Sequence, residues 1–178
     1  TKHLAALAVA LLPASGMAFE IDDIYYAITG ENTVEVTDRP YLTGGYIGDI
    51  VIPATVEYEG QTYRVTAIGE KAFNEASLIT SVSIPESITA IGDRAFTECT
   101  GLTAIDIPAS VTSLGDYCFR GCKALATVTL HEGLTSIGDY CFEQCDALTA
   151  IDIPDGVTTL GDNCFDNCDV LASVSIPG

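Results

Sequence analysis

The chain is 178 residues long and 48% hydrophobic, enough for one domain or one short repeat array with a real core. Seven Lys and Arg stand against 25 Asp and Glu, a formal charge of −18. Such a surface repels phosphate backbones and anionic lipid, which argues against nucleic-acid partners and electrostatic membrane docking, and with no Trp and only His3 and His131 there is little material for imidazole chemistry.

In chain order, residues 1–18 read as a secretory signal peptide. Lys2 and His3 form a basic start, Leu4 to Leu12 an apolar run, and Gly16 and Ala18 the small residues before a cut at Phe19. The run is too short to cross ~30 Å of hydrocarbon as a helix, so no membrane insertion of the mature chain is expected. Residues 19–64 read as an N-terminal β cap with an irregular first coil. Ile24–Thr29 and Thr33–Thr37 alternate around Gly30-Glu31-Asn32 as a hairpin, and Val56–Val65 suggests a second one after the strand Ile50-Val-Ile-Pro53. Tyr25, Tyr26, Tyr41, Tyr46, Tyr58 and Tyr63 fall here and are expected to seal the apolar end of the repeat array that begins at Val65.

Residues 65–178 repeat. Ile79-Thr-Ser-Val82-Ser-Ile84-Pro85 returns every 23 residues, at Leu102, Leu125, Leu148 and Leu171. Val111-Thr-Ser-Leu114-Gly115-Asp116 and Cys118-Phe119-x-x-Cys122 recur in the same phase, and a degenerate copy runs from Val65 to Ala76. A strict period means stacked coils, each burying its apolar side chains against the next. Leu-x-x-Ile-x-Ile is expected to be a strand in a parallel ladder with coils ~4.8 Å apart. Pro then ends the pairing, Gly-Asp turns, and Asp caps a one-turn helix carrying Phe-x-x-Cys. The fold class is therefore an α/β solenoid of 23-residue coils with a parallel strand ladder and short helical turns, capped by N-terminal β-hairpins. The array stops inside a repeat at Ile176-Pro177-Gly178, which reads as C-terminal truncation of a longer protein.

The consensus Leu-Thr-x-Ile-x-Ile-Pro-x-x-Val-Thr-x-Ile-Gly-Asp-x-Cys/Ala-Phe-x-x-Cys resembles the BspA-type leucine-rich repeat of bacterial surface proteins. The opening Phe19-Glu-Ile-Asp-Asp-Ile-Tyr-Tyr, with Val34-Glu-Val-Thr37 and Val51-Ile-Pro53, is similar to the N-terminal part of exported members from Bacteroides-like bacteria. The resemblance implies a right-handed leucine-rich-repeat array and a secreted or outer-surface interaction protein, in some members an adhesin for host matrix proteins. It implies no catalytic residues and no cofactor.

The seven Cys fall in two columns, Cys99/122/145/168 and Cys118/141/164, where earlier copies carry Ala76, Ala72 and Ala95. Interchange with Ala favours small buried thiols; disulfides between stacked coils and a thiolate zinc site are the sharper readings, the latter weakened because C-x₃-C at every coil is packing periodicity. The acidic residues Asp93, Asp116, Asp139 and Asp162 follow the repeat as helix caps, and the oxygen-rich coil around Asp166 and Asp169 matches no calcium loop order.

If the strand lines the concave side, Ser81/Ser83, Ala104/Asp106, Thr127/Thr129, Ala150/Asp152 and Ser173/Ser175 point outward. Ser83, Asp106, Thr127, Thr129 and Asp152, able to hydrogen-bond a glycan or a flat protein surface, are one set of candidate ligand-binding residues. Tyr117 and Tyr140, one coil apart after Gly-Asp, are the other. No nucleophile with a base and no converging carboxylate pair departs from the repeat phase, so an enzyme is not expected. His131, in a Pro position, is read as a replacement for it. Two functions remain: a recognition module for an extracellular protein or glycan, or a passive spacer presenting another domain.

Overall fold

The computed structural model describes residues 16–39 and 45–176. Most of the expected signal peptide, Tyr41 of the cap and Pro177-Gly178 lie outside the described residues.

The cap is an antiparallel unit that becomes parallel as it meets the repeats. Strands β1 (Ala18–Ile21), β2 (Ile24–Gly30) and β3 (Thr33–Val36) pair in order, β1 with β2 and β2 with β3 antiparallel. The alternation predicts which side is buried: Ile24, Tyr26, Ile28, Val34 and Val36 face the core. The β1–β2 connection is the two-residue Asp22-Asp23, both at positive φ (49° and 63°), the geometry that matches the twist of a tight hairpin. A second hairpin joins β5 (Thr55–Tyr58) to β6 (Gln61–Ile68), and β6 runs parallel to β3.

Two parallel ladders then rise through the repeats. The first continues from β6 through β8 (Ala90–Ile91), β10 (Ser113–Leu114), β12 (Ser136–Ile137) and β14 (Thr159–Leu160), with Ser113 opposite Ser136 and Leu114 opposite Ile137. The second comprises β4 (Ile47–Val51), β7 (Leu78–Ser83), β9 (Ala104–Asp106), β11 (Thr127–Thr129), β13 (Ala150–Asp152) and β15 (Ser173–Ser175). Its ladder bonds come in pairs, β4 with β7, β9 with β11 and β13 with β15, while β7 lies against β9 and β11 against β13. The sequence motif Val-Thr-x-Ile-Gly-Asp is thus a short strand before its turn. Its Thr column has a reason: Thr112 Oγ1 donates to the Thr89 carbonyl at 3.2 Å and Thr135 Oγ1 to the Thr112 carbonyl at 2.9 Å.

The short helical turns are a correction. Among the described residues no helix forms after Gly-Asp. Arg94, Phe96 and Glu98 send their N–H groups to the carbonyls of Asp116, Cys118 and Arg120 on the next coil, at 2.7–2.8 Å. The intervening Ala95, Thr97 and Cys99 bond back three residues within the coil. A helix would spend all these donors internally, whereas this alternation spends half of them on stacking. It requires left-handed residues at fixed places, and Lys71, Arg94, Tyr117, Tyr140 and Asn163 all have φ between 54° and 57°.

The core is a set of columns. Leu102, Leu125 and Leu148 form one, Ile91, Leu114 and Ile137 another, all essentially inaccessible. Phe73, Phe96, Phe119, Phe142 and Phe165 stack with centroids 5.1–5.7 Å apart and planes within 14°. Tyr46 closes this spine at the cap, 4.7 Å from Phe73 and tilted by 60°. Its hydroxyl donates to the Thr37 carbonyl at 2.8 Å and accepts the Tyr25 N–H at 3.0 Å, so the buried phenol leaves no polar atom unmet. Tyr26 and Tyr63 are buried beside Phe19.

Candidate recognition surface on the strand face

In each strand of the second ladder one residue is turned inward between two turned out: Ile105 between Ala104 and Asp106, Val128 between Thr127 and Thr129, Ile151 between Ala150 and Asp152. The pleat dictates this, since a buried Leu-x-x-Ile register leaves its neighbours on the other side. Asp106 stands opposite Thr129, and Asp152 opposite Ser175. Ser83 occupies the same place on β7, so Ser83, Asp106, Thr129 and Asp152 form one exposed row across four coils, with Thr127 in the row beside it. Hydroxyl coils alternate with carboxylate coils along it.

His131 belongs to this row. Its Nε2 lies 2.9 Å from Asp106 Oδ1, reaching back one coil from the position that is proline elsewhere. The sequence reading of His131 as a mere Pro replacement missed this, because the contact crosses coils.

Tyr117 and Tyr140 are brought together, but away from the strand face. Their rings stack at 5.0 Å with planes 1° apart, and the Arg94 guanidinium lies 5.0 Å over the Tyr117 ring. Both sit at positive φ, a conformation that costs a bulky residue roughly 1–2 kcal/mol. The two sets of candidates therefore occupy two separate surfaces.

Beside this aromatic strip runs an acidic ladder, which corrects the helix-cap reading of Asp93, Asp116, Asp139 and Asp162. Asp93, Asp116 and Asp139 each accept, through Oδ1, the N–H of the corresponding Asp one coil on: Asp93 from Asp116 at 2.9 Å, Asp116 from Asp139 at 2.8 Å, Asp139 from Asp162 at 2.7 Å. The carboxylate is needed as an acceptor; its charge faces like charges above and below. Asp116→Ala is expected to lower stability by about 1 kcal/mol by orphaning the Asp139 N–H, while Asp116→Asn, which keeps an oxygen and removes repulsion, should be neutral or stabilising in urea unfolding.

All seven cysteines are free thiols, six of them buried and Cys168 half-buried. The Cys that ends each Phe-x-x-Cys donates to the preceding coil's Phe carbonyl: Cys99 to Phe73 and Cys122 to Phe96 at 3.1 Å, Cys145 to Phe119 at 3.3 Å. Burial pushes the Cys99 thiol up to about 12, and raises Cys122, Cys141, Cys145, Cys164 and Cys168 as well. A thiol raised in the folded state holds its proton longer than in the unfolded chain. Its stabilisation is complete below the unfolded value near ~8.5 and is lost as pH climbs towards the folded one. Urea midpoints should therefore fall between pH 8 and 11, and fall less steeply in Cys122→Ala/Cys145→Ala. Native alkylation should reach Cys168 first. Among the described residues no group of three His, Cys, Asp or Glu is arranged to hold a metal ion.

One part of the surface escaped the sequence reading. Ile47, Val51 and Leu78 are 63%, 68% and 62% exposed at the capped end of the strand face. Aligning Pro53 with Pro85 would have placed Asp49 opposite Ser81 and Val51 opposite Ser83, as observed. A register shift after Gly48, where β7 carries Thr80 as an extra residue, hides the further pairing of Ile47 with Leu78.

The BspA type leucine rich repeat region matches residues 65–178 in 6 copies, and the chain belongs to this family. A leucine-rich repeat protein from Bacteroides ovatus is 39% identical, superimposes with a TM-score of 0.81 and matches 89% of this chain; the chain spans 41% of that protein. The T. pallidum leucine rich repeat protein is 29% identical with a TM-score of 0.76, over 85% of this chain and 68% of its own. A leucine rich cell surface protein from Faecalibacterium prausnitzii is 25% identical with a TM-score of 0.54, over 90% of this chain and 55% of its own. None of the functionally curated proteins compared with the chain matches it. No helix among the described residues is long and apolar enough to cross a membrane.

Proposed function

We propose that the chain is a secreted or outer-surface recognition module, exported by its first 18 residues, that binds an extracellular protein or glycan through the strand face of a right-handed solenoid of 23-residue coils. Host-matrix adhesion is one use of such a surface. The observation that carries this reading is the row Ser83, Asp106, Thr129, Asp152: hydroxyls and carboxylates at coil spacing, exposed on a ladder whose buried side is fully packed. A rigid array of acceptors and donors suits a repeating or flat partner, because the side chains lose little freedom on binding. The surface display of the Faecalibacterium relative supports the location. The stacked Tyr117–Tyr140 strip is the second contact surface of the same proposal, its aromatic faces suited to a sugar ring or a protein side chain.

The test is binding to an immobilised panel of extracellular-matrix proteins and polysaccharides. Saturable binding that falls about tenfold or more in Asp106→Ala/Asp152→Ala and persists in Tyr117→Ala/Tyr140→Ala assigns recognition to the strand face. The reverse pattern assigns it to the aromatic strip. Retention by nothing on the panel, from a folded sample, favours a spacer.

A further inference from the structure

We infer that the groove beside β4 receives an extended basic segment of a partner protein, which adds to the β4 edge as a further parallel or antiparallel strand. Among the described residues β4 pairs only with β7, so one edge of the strand carries backbone donors and acceptors without a ladder. Exposed edges of this kind are templates for strand addition. The structure opens a groove along that edge, of about 320 Å³, between β4 and the β1–β2 turn, lined by Asp22, Asp23, Ile47, Asp49 and Val51. It runs on into a smaller hollow of about 180 Å³ that ends at Tyr46 and Arg39.

The lining decides what can enter. Ile47 and Val51 offer exposed apolar side chains on alternate positions of the strand, which suits the alternate side chains of an added strand. The walls are acidic. Asp22 and Asp23 are held side by side by two consecutive left-handed residues, in a turn that asparagine and glycine fill more easily. Asp49 Oδ1 accepts from Thr80 Oγ1 at 2.6 Å and Ser81 Oγ at 2.7 Å, which fixes the carboxylate and holds it below the usual carboxylate range. Arg39, at the far end, is already engaged by Glu20 at 3.3 Å and lies over the rings of Tyr25 and Tyr46. Three carboxylates around an apolar strand edge, in a protein of charge −18, select lysine or arginine between apolar residues and repel acidic segments. The site adjoins the Ser83–Asp152 row, with Val51 opposite Ser83, but Asp22, Asp23 and Val51 lie outside that row, so either surface can fail its test without the other.

The probe is a synthetic peptide of alternating lysine and valine, with an alternating glutamate and valine peptide as control, titrated into the full chain at two salt concentrations. Amide hydrogen exchange follows each strand. The expected result is saturable binding of the lysine peptide alone, with slowed exchange confined to β4. Affinity should fall about tenfold in Asp22→Asn/Asp23→Asn, where asparagine keeps the turn conformation, and by a similar factor in Val51→Lys, whose side chain is exposed. Asp116→Asn/Asp139→Asn should leave it unchanged. Equal loss in the two aspartate pairs, or protection spread over the whole acidic surface, would show mere charge attraction and overturn the proposal. So would slowed β4 exchange without peptide in a dimeric sample, which would make a second copy of the chain the occupant.

Discussion

Phe119→Ala is expected to destabilise the array by about 3–5 kcal/mol, the range for emptying a fully buried aromatic site. Phe119 is inaccessible and stacks between Phe96 and Phe142 at 5.1 and 5.4 Å, so truncation removes two ring contacts and leaves a hole the rigid coils cannot close. Its position in the middle of the spine adds a second consequence. In a solenoid each coil contacts only its neighbours, so stability is a chain of interface terms. Breaking a central term should uncouple the C-terminal coils from those anchored on the cap. Urea unfolding followed by circular dichroism should then show a lower midpoint and a broadened or two-step transition. Phe165→Ala, at the half-buried end of the spine, should cost less and leave the transition single. Equal effects at the two positions would contradict the columnar account.

Gly138→Ala is the second large effect, expected at about 1–3 kcal/mol or more, the range for overpacking a closed interior. A Cβ there would lie 2.5 Å from Asp116 Oδ1 and 2.6 Å from the Asp116 backbone nitrogen, on the preceding coil. Neither atom can retreat. The nitrogen is backbone, and Asp116 Oδ1 is the acceptor for the Asp139 N–H. The glycine is required by the spacing of the coils, since its own φ is ordinary. Gly60→Ala is the informative control: a Cβ there meets nothing, but φ is +81°, so its cost is backbone strain alone, about 1 kcal/mol. A loss at Gly138 no larger than at Gly60 would mean that the coils are not in contact there.

The columns were legible because a repeat writes each structural demand several times. Interchange of Ala72 and Ala95 with Cys118 marks a small buried site from the residue types alone, and the Phe column marks a spine. Hairpin alternation at Ile24–Thr29 and Thr33–Thr37 marks the cap. What stayed hidden depends on contacts between coils. The Gly-Asp-x-Cys-Phe segment has the composition of a capped helical turn, and only the demand of the next coil for its N–H groups converts it into a turn with left-handed residues four apart, as at Arg94 and Glu98. The Asp ladder follows from that conversion. The contact of His131 with Asp106 likewise joins residues of different repeats, and periodicity aligns such residues without saying which side chain reaches which. Where β4 pairs with β7 a bulge at Thr80 broke the phase, so Ile47, Val51 and Leu78 carried no repeat signature.

The candidate site was legible as an outward row, since a strand with a buried Leu-x-x-Ile register leaves only one side for Ser83, Asp106, Thr129 and Asp152. That Tyr117 and Tyr140 stack under Arg94 was not, because their left-handed backbone, which sets both rings in line, arises from the same inter-coil bonds. Both tyrosines tolerate a conformation that Asn163 adopts at lower cost. The strip is thus held against local preference by the bonds between coils, as are Lys71 and Arg94 at the same repeat position.

The central claim is that the strand face is where a partner is held. The most direct measurement is amide hydrogen exchange of the full chain with and without the matrix protein or polysaccharide it retains from the panel, read strand by strand. The account predicts slowed exchange along β9, β11 and β13, with the turn carrying Tyr117 and Tyr140 affected less and the acidic ladder unchanged. Exchange unchanged along those three strands, with protection confined to the turns, would contradict it.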